Sequence, residues 1–163
     1  MPTLLIYSTK HGTTEKIALD ISKNLLDEVK VVNLEKERVP SFHHYETIII
    51  GTSIHMGKIP KKMDKFLQRN ERVILTKRLG LFLCCMKEGE EAKLQFESSF
   101  SSPIRGHAIS QALCGGEFIF SKMNFLERKI IHKVAGEKND LSAINKENID
   151  NFINEINSTY DLC

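Results

Sequence analysis

At 163 residues, 41% of them hydrophobic, the chain is long enough for one compact domain that buries roughly two thirds of the surface its unfolded form exposes. Its 23 Lys and Arg against 21 Asp and Glu leave a formal charge of +2, without the cationic excess that phosphate backbones select, so no nucleic-acid partner is expected. No stretch approaches the roughly 18 apolar residues of a membrane span. Met1-Pro2-Thr3 leads directly into an apolar run, with neither the basic region nor the cleavage site of a signal peptide, so a cytoplasmic protein is expected.

The first run, Leu4 to Tyr7, reads as a strand and stops at the polar cluster Ser8-Thr9-Lys10-His11-Gly12-Thr13-Thr14. Ile17, Ala18, Ile21 and Leu25 then recur at helical spacing, and Thr13 or Thr14 is placed to cap that helix. Val29 to Asn33 is a second strand. Thr47 to Thr52, with isoleucine at 48, 49 and 50, reads as a strand buried on both faces, which implies a central parallel strand. His43 and His44 precede it, at the opposite edge of the sheet, and receive no role.

After Pro60, Met63, Phe66 and Leu67 mark a helix over 61–70, and Leu79 to Cys85 is another continuous apolar run. Glu90 to Phe100 predicts a helix, and 108–120 carries a strand signal interrupted by Gly115 and Gly116. Leu126, Ile130 and Val134 mark a basic amphipathic helix, and Asn145 to Ile156 predicts the last one. Strands alternating with helices call for an open parallel sheet of about five strands with helices on both faces. In such sheets ligands bind outside the carboxyl ends of the strands, so the loops after the first, third and fourth strands are where chemistry is sought.

The four cysteines, at 84, 85, 114 and 163, form no pair or Cys/His cluster of metal-ligand spacing, and no metal site is expected. Cys84 and Cys85 read as buried thiols in a reducing cytosol. A disulfide between such neighbours requires a strained peptide.

The first loop offers hydroxyls from Ser8, Thr9, Thr13 and Thr14, one glycine and the free amides of a helix start. That combination suits a phosphate, although a capped turn uses the same residue types. A nucleoside triphosphate loop needs GxxxxGK followed by Ser or Thr, and a dinucleotide turn needs GxGxxG. Neither is present. An aspartate-phosphorylated receiver places carboxylates at the strand ends where this chain has Ser8 and Gly51-Thr52.

A hydrophobic strand followed by Ser8-Thr9-x-x-Gly12-Thr13-Thr14 opening a helix resembles the flavodoxins, and the similarity runs along the chain. The resemblance implies one flavodoxin-like domain over 1–163, a doubly wound α/β sheet in the order 2-1-3-4-5, and FMN as cofactor. It places Ser8, Thr9, Lys10, His11, Gly12, Thr13 and Thr14 around the phosphate. Thr52, Ser53, Ile54, His55, Met56 and Gly57 would run along the ring, with Cys85 and Met86 in the third loop. With no Trp in the chain, His55 and Met56 stand where flavodoxins present aromatic rings, so the ring would be less tightly stacked. His55 is a weak catalytic candidate whose plainer reading is an exposed loop histidine. Gly57 is a candidate for a redox-linked peptide flip, since glycine tolerates positive φ.

Within the superfamily, Ile50 to Gly57, Gly115 to Phe118 and Phe125 to Gly136 resemble the menaquinone-dependent protoporphyrinogen IX dehydrogenase type. That resemblance implies an oxidoreductase with a quinone acceptor. It also implies that 122–138 meets the inner face of the membrane, where the plain reading is a surface helix. The segment between Met86 and Ala108 is shorter than in that type and carries Glu88, Glu90, Glu91 and Glu97, which favours a different substrate or a flavodoxin-type carrier between redox partner proteins.

Overall fold

The computed structural model describes residues 2–118 and 141–158. Strands β1 (Thr3–Tyr7), β2 (Val29–Asn33), β3 (Thr47–Ser53), β4 (Arg78–Cys84) and β5 (Ser110–Leu113) form one parallel sheet in the order β2-β1-β3-β4-β5. This is the order the resemblance implies. Helices α1 (Thr13–Asn24), α2 (Lys61–Ile74), α3 (Gly89–Ser99), α4 (Ser102–His107) and α5 (Lys146–Ser158) connect and cover it.

The period of two along each strand sorts side chains onto two cores. Leu4, Ile6, Ile48, Ile50, Leu81 and Leu83 pack under α2, α3 and α4, where Met63, Leu67 and Phe96 meet them. Leu5, Ile49 and Phe82 point the other way, toward Ile17 and Ile21 of α1 and Ile149 and Phe152 of α5. The three isoleucines at 48–50 are therefore divided between two cores, each fully buried, which is why that strand is apolar without alternation.

Between β1 and β3 the order of winding reverses. β1 leads through α1 to β2 at one edge, and the chain then returns past β1 to β3. In open α/β sheets such a reversal is where the loops leaving neighbouring strands diverge and ligands bind.

Several local expectations change. The strand signal over 108–120 shrinks to Ser110–Leu113, because Gly115 turns the chain at φ 72. The chain then forms a short antiparallel pair, β6 (Glu117–Phe118) with β7 (Leu141–Ser142). Helix α2 runs on to Ile74, whose buried side chain extends the apolar stripe. Helix α4 and a 3-10 turn at Phe42–His44 are too short to show a period in the sequence. Neither Thr13 nor Thr14 caps α1: Gly12 holds that position at φ 95, with no side-chain cap bond. The basic helix expected over 122–138 lies outside the described residues.

Candidate functional site at the carboxyl ends of β1, β3 and β4

The first loop is set by Gly12, whose left-handed backbone turns the chain from β1 into α1, and whose N–H donates to Thr9 Oγ1 at 3.0 Å. The first intrahelical bond runs from Lys16 N to Gly12 O at 3.1 Å, so the amides of Thr13, Thr14 and Glu15 precede it and carry the positive end of the helix dipole. Because Thr14 does not cap the helix, its Oγ1 is buried with no hydrogen-bond partner. Thr52 Oγ1, near the end of β3, is in the same state. A buried hydroxyl left unpaired costs about 1–3 kcal/mol, and both atoms lack an acceptor or donor among the described residues, as do Gln95 Oε1 and Ser110 Oγ elsewhere in the fold.

The second loop is a tight turn. His55 N donates to Lys58 O at 2.7 Å and Lys58 N to His55 O at 3.2 Å, around Met56 at φ 54 and Gly57 at φ 79. Two successive positive φ values give the geometry of a type I′ turn. Met56, a residue type that rarely adopts such a backbone, is 62% exposed. Lys10 Nζ lies 2.8 Å from His55 Nε2, and the rings of His11 and His55 meet edge to face at 5.9 Å, which ties the first loop to the second.

In the third loop Cys85 is buried and its Sγ contacts Lys87 O at 3.8 Å, while Met86 is half-buried. Burial pushes the Cys85 thiol pKa up. The side chains of Cys84 and Cys85 enter opposite cores, so a disulfide between them would require rebuilding the strand end. Cys114 shares the core of Cys84, and the hydrogen bond between them, with burial second, raises its pKa. All three thiols are free. A methyl group added at Gly116 would sit 3.1 Å from Met86 Sδ, so the segment after β5 passes close against this loop.

Three carboxylates that sequence reasoning missed border the first loop. Ser8 Oγ donates to Glu35 Oε1 at 2.7 Å, and Thr13 Oγ1 donates to Glu117 Oε1 at 3.1 Å. Lys16 Nζ reaches Glu117 Oε2 at 3.3 Å. Burial alone would push the Glu117 carboxyl up, but hydrogen bonds from Lys16, Ser142 and Thr13 outweigh it and hold the pKa below the ordinary value. Tyr7 OH donates to Glu15 Oε2 at 2.9 Å, and burial, then that bond, pushes the phenol up to about 12. Glu117 stands 104 residues from Thr13, a separation that no motif spans.

A surface cleft of about 370 Å³ runs along edge strand β5, lined by Phe96, Arg105, Gln111 and Asn148 among others. None of its lining residues belongs to the three strand-end loops, so it is not the site built above.

A family model described as "Flavodoxin domain" matches residues 4–143. Over 73 residues the chain is 27% identical to Protoporphyrinogen IX dehydrogenase (quinone) of Escherichia coli (strain K12). That stretch covers 43% of this chain and 40% of the curated relative, so the match spans two fifths of that protein's length. Among solved structures, a flavodoxin of Streptococcus pneumoniae TIGR4 superposes with a TM-score of 0.59 at 16% identity, covering 98% of this chain and 99% of that one. Oxidised Flavodoxin 1 from Bacillus cereus superposes with a TM-score of 0.57 at 12% identity, over 100% of both chains. These two likenesses show the fold.

Proposed function

The chain belongs to the flavodoxin domain family, and from that premise we infer that it is an FMN-dependent oxidoreductase that holds its cofactor where the first, second and third strand-end loops converge. The observation that carries this reading is the buried, partnerless hydroxyl of Thr14 in the first turn of α1, beside amides with no intrahelical acceptor. A phosphate supplies the acceptors that both lack, so the residues fit the group.

Bound there, FMN would supply the one- and two-electron chemistry of the reaction. Ser8, Thr9, Gly12, Thr13 and Thr14, with the backbone of Lys10 and His11, would hold the phosphate. Each hydroxyl has one proton, and Ser8 and Thr13 now give theirs to Glu35 and Glu117. A phosphate claims those protons only by displacing a carboxylate, whereas Thr14 needs no such exchange. Thr52 to Gly57 would border the ring, and Cys85 and Met86 would close its far side. His55, fixed by Lys10, would orient the second loop.

The partial match to the quinone-dependent dehydrogenase supports oxidation of a reduced substrate, protoporphyrinogen IX being the first to try, with a quinone as acceptor. The exposed carboxylates Glu88, Glu90 and Glu91 at the head of α3 support the second reading, a one-electron carrier between protein partners. No described helix is long and apolar enough to cross a membrane. The free thiols at 84, 85 and 114 support a reducing, cytoplasmic setting.

The test is a titration of the purified chain with FMN and with riboflavin, read by flavin absorbance and fluorescence. FMN should bind one to one. Riboflavin should bind at least about tenfold more weakly, because even one hydrogen bond to a charged group contributes about 1.5–3 kcal/mol. Absence of bound flavin overturns the reading. Anaerobic oxidation of protoporphyrinogen with a menaquinone analogue then separates the enzyme from the carrier.

A further inference from the structure

Helix α2 leaves the second loop with a line of cations on its solvent side. Lys61, Lys65 and Arg72 fall with Gln68 at positions i, i+4, i+11 and i+7, while Met63, Leu67 and Ile74 bury the opposite side. At 1.5 Å per residue, that line is about 16 Å long. Lys62 and Arg69 flank it and Lys58 precedes it, all exposed. None of these six side chains forms an ion pair or hydrogen bond with a described residue, whereas Lys16, Lys87 and Lys146 each meet a carboxylate.

Asp64 and Glu71 lie on the other flank of this line, so α2 carries five cations against two carboxylates, and an acidic partner relieves the repulsion among the cations in excess. At the upper end of the line Met56 is held in a left-handed turn with its side chain in solvent, an arrangement that burial against a partner would stabilise. Helix α3 covers the same face of the sheet and begins with Glu88 and Glu90 exposed, while Glu91 pairs with Lys87 at 3.3 Å. The rim of the strand-end site is thus positive on the α2 side and negative on the α3 side.

We propose that the α2 face, with Met56 at its head, is the docking surface for an electron-transfer protein whose own redox centre is surrounded by Asp and Glu side chains. This rests on the FMN reading for the electron's destination, but not for the contact itself. The acidic partner is drawn to α2 and repelled by the head of α3, which fixes its orientation over the strand-end loops. An anionic bilayer is the poorer fit: a membrane-surface helix buries an apolar face in the lipid, and the apolar side of α2 is already committed to the protein core.

The probe is a plant-type 2Fe–2S ferredoxin, a small acidic iron–sulfur protein. One electron leaves its reduced cluster and enters the flavin, and no other reactant is needed. Second-order rates are measured by stopped flow for the FMN-loaded protein, for Lys61→Glu/Lys65→Glu/Arg72→Glu, and for Glu90→Lys/Glu91→Lys. Carbodiimide cross-links to ferredoxin are mapped on the same chains with and without FMN. At an ionic strength of about 10 mM the α2 reversal should slow the rate about tenfold or more, the cross-links of the wild-type chain should map to Lys61 and Lys65, and at ~0.5 M salt the rates should converge. The α3 reversal should leave the rate equal or faster.

Equal low-salt rates for wild type and the α2 variant, or cross-links that map elsewhere, overturn the proposal. Loss of sedimentation with phosphatidylglycerol vesicles in the α2 variant, with its ferredoxin rate unchanged, overturns it in favour of a bilayer. Cross-links at Lys61 and Lys65 in a chain that takes up no flavin support the docking surface and overturn the FMN reading instead.

Discussion

Lys10 Nζ stands 2.8 Å from His55 Nε2, so two loops 45 residues apart in the chain share one hydrogen bond. A charged ammonium only donates, which makes the imidazole nitrogen the acceptor. His55→Ala removes this tie and should weaken FMN about tenfold, the scale of one hydrogen bond to a charged group. His55→Gln keeps an acceptor and should recover most of the affinity. Fluorescence titrations of the three proteins check this, and equal dissociation constants for wild type and the alanine variant would refute it.

Thr14→Val replaces a buried, partnerless hydroxyl by a methyl group of similar shape. The cofactor-free protein should gain about 1 kcal/mol, because the desolvation penalty disappears, while FMN affinity falls. Thermal unfolding without flavin and titration with it read the two effects separately. A loss of stability in the cofactor-free variant would show that the hydroxyl has a partner of its own.

Glu117 gives a pH dependence of definite sign. Its pKa in the folded chain lies below the ordinary 4.5, so its stabilising contribution is complete above that value and is lost as pH falls through the lower folded pKa. Glu117→Gln should therefore lower the urea midpoint at pH 7, with the difference from wild type vanishing in acid. The effect should stay at or below about 1 kcal/mol, because Lys16 is 64% exposed and water screens the pair. A difference that persists unchanged once both carboxyl states are protonated contradicts the assignment.

Gly51 and Phe82 face each other across β3 and β4, and a Cβ on Gly51 would lie 1.9 Å from the ring's Cζ. The ring is fully buried and packs edge to face on Phe152 at 6.1 Å, so it has little room to withdraw. Gly51→Ala should cost about 1–3 kcal/mol, the usual range for overpacking. Phe82→Leu in that background should restore part of the loss. Chemical denaturation of the single and double variants decides it.

The strands and long helices were legible because their side-chain periods report which face is buried. Ile48, Ile49 and Ile50 announced a strand covered on both sides, and Met63 and Leu67 announced the inner face of α2. Shorter elements, such as Ser102–His107, complete too few turns to display a period. The hydroxyl-rich loop that opens α1 was legible as a cluster of donors at a helix start, but the bonds that Ser8 and Thr13 make to Glu35 and Glu117 were not.

The order of residues by itself determined the alternating α/β pattern, the glycine between β1 and α1, and the polar loop that follows the first strand, since each depends on local propensity or short-range spacing. Tertiary structure alone decided that Lys10 meets His55, that Glu117 sits on Thr13, and that the hydroxyls of Thr14 and Thr52 are buried unpaired. Those relationships arise where distant strands end side by side. They depend on sheet order and register, which bring together groups that no local pattern along the chain connects.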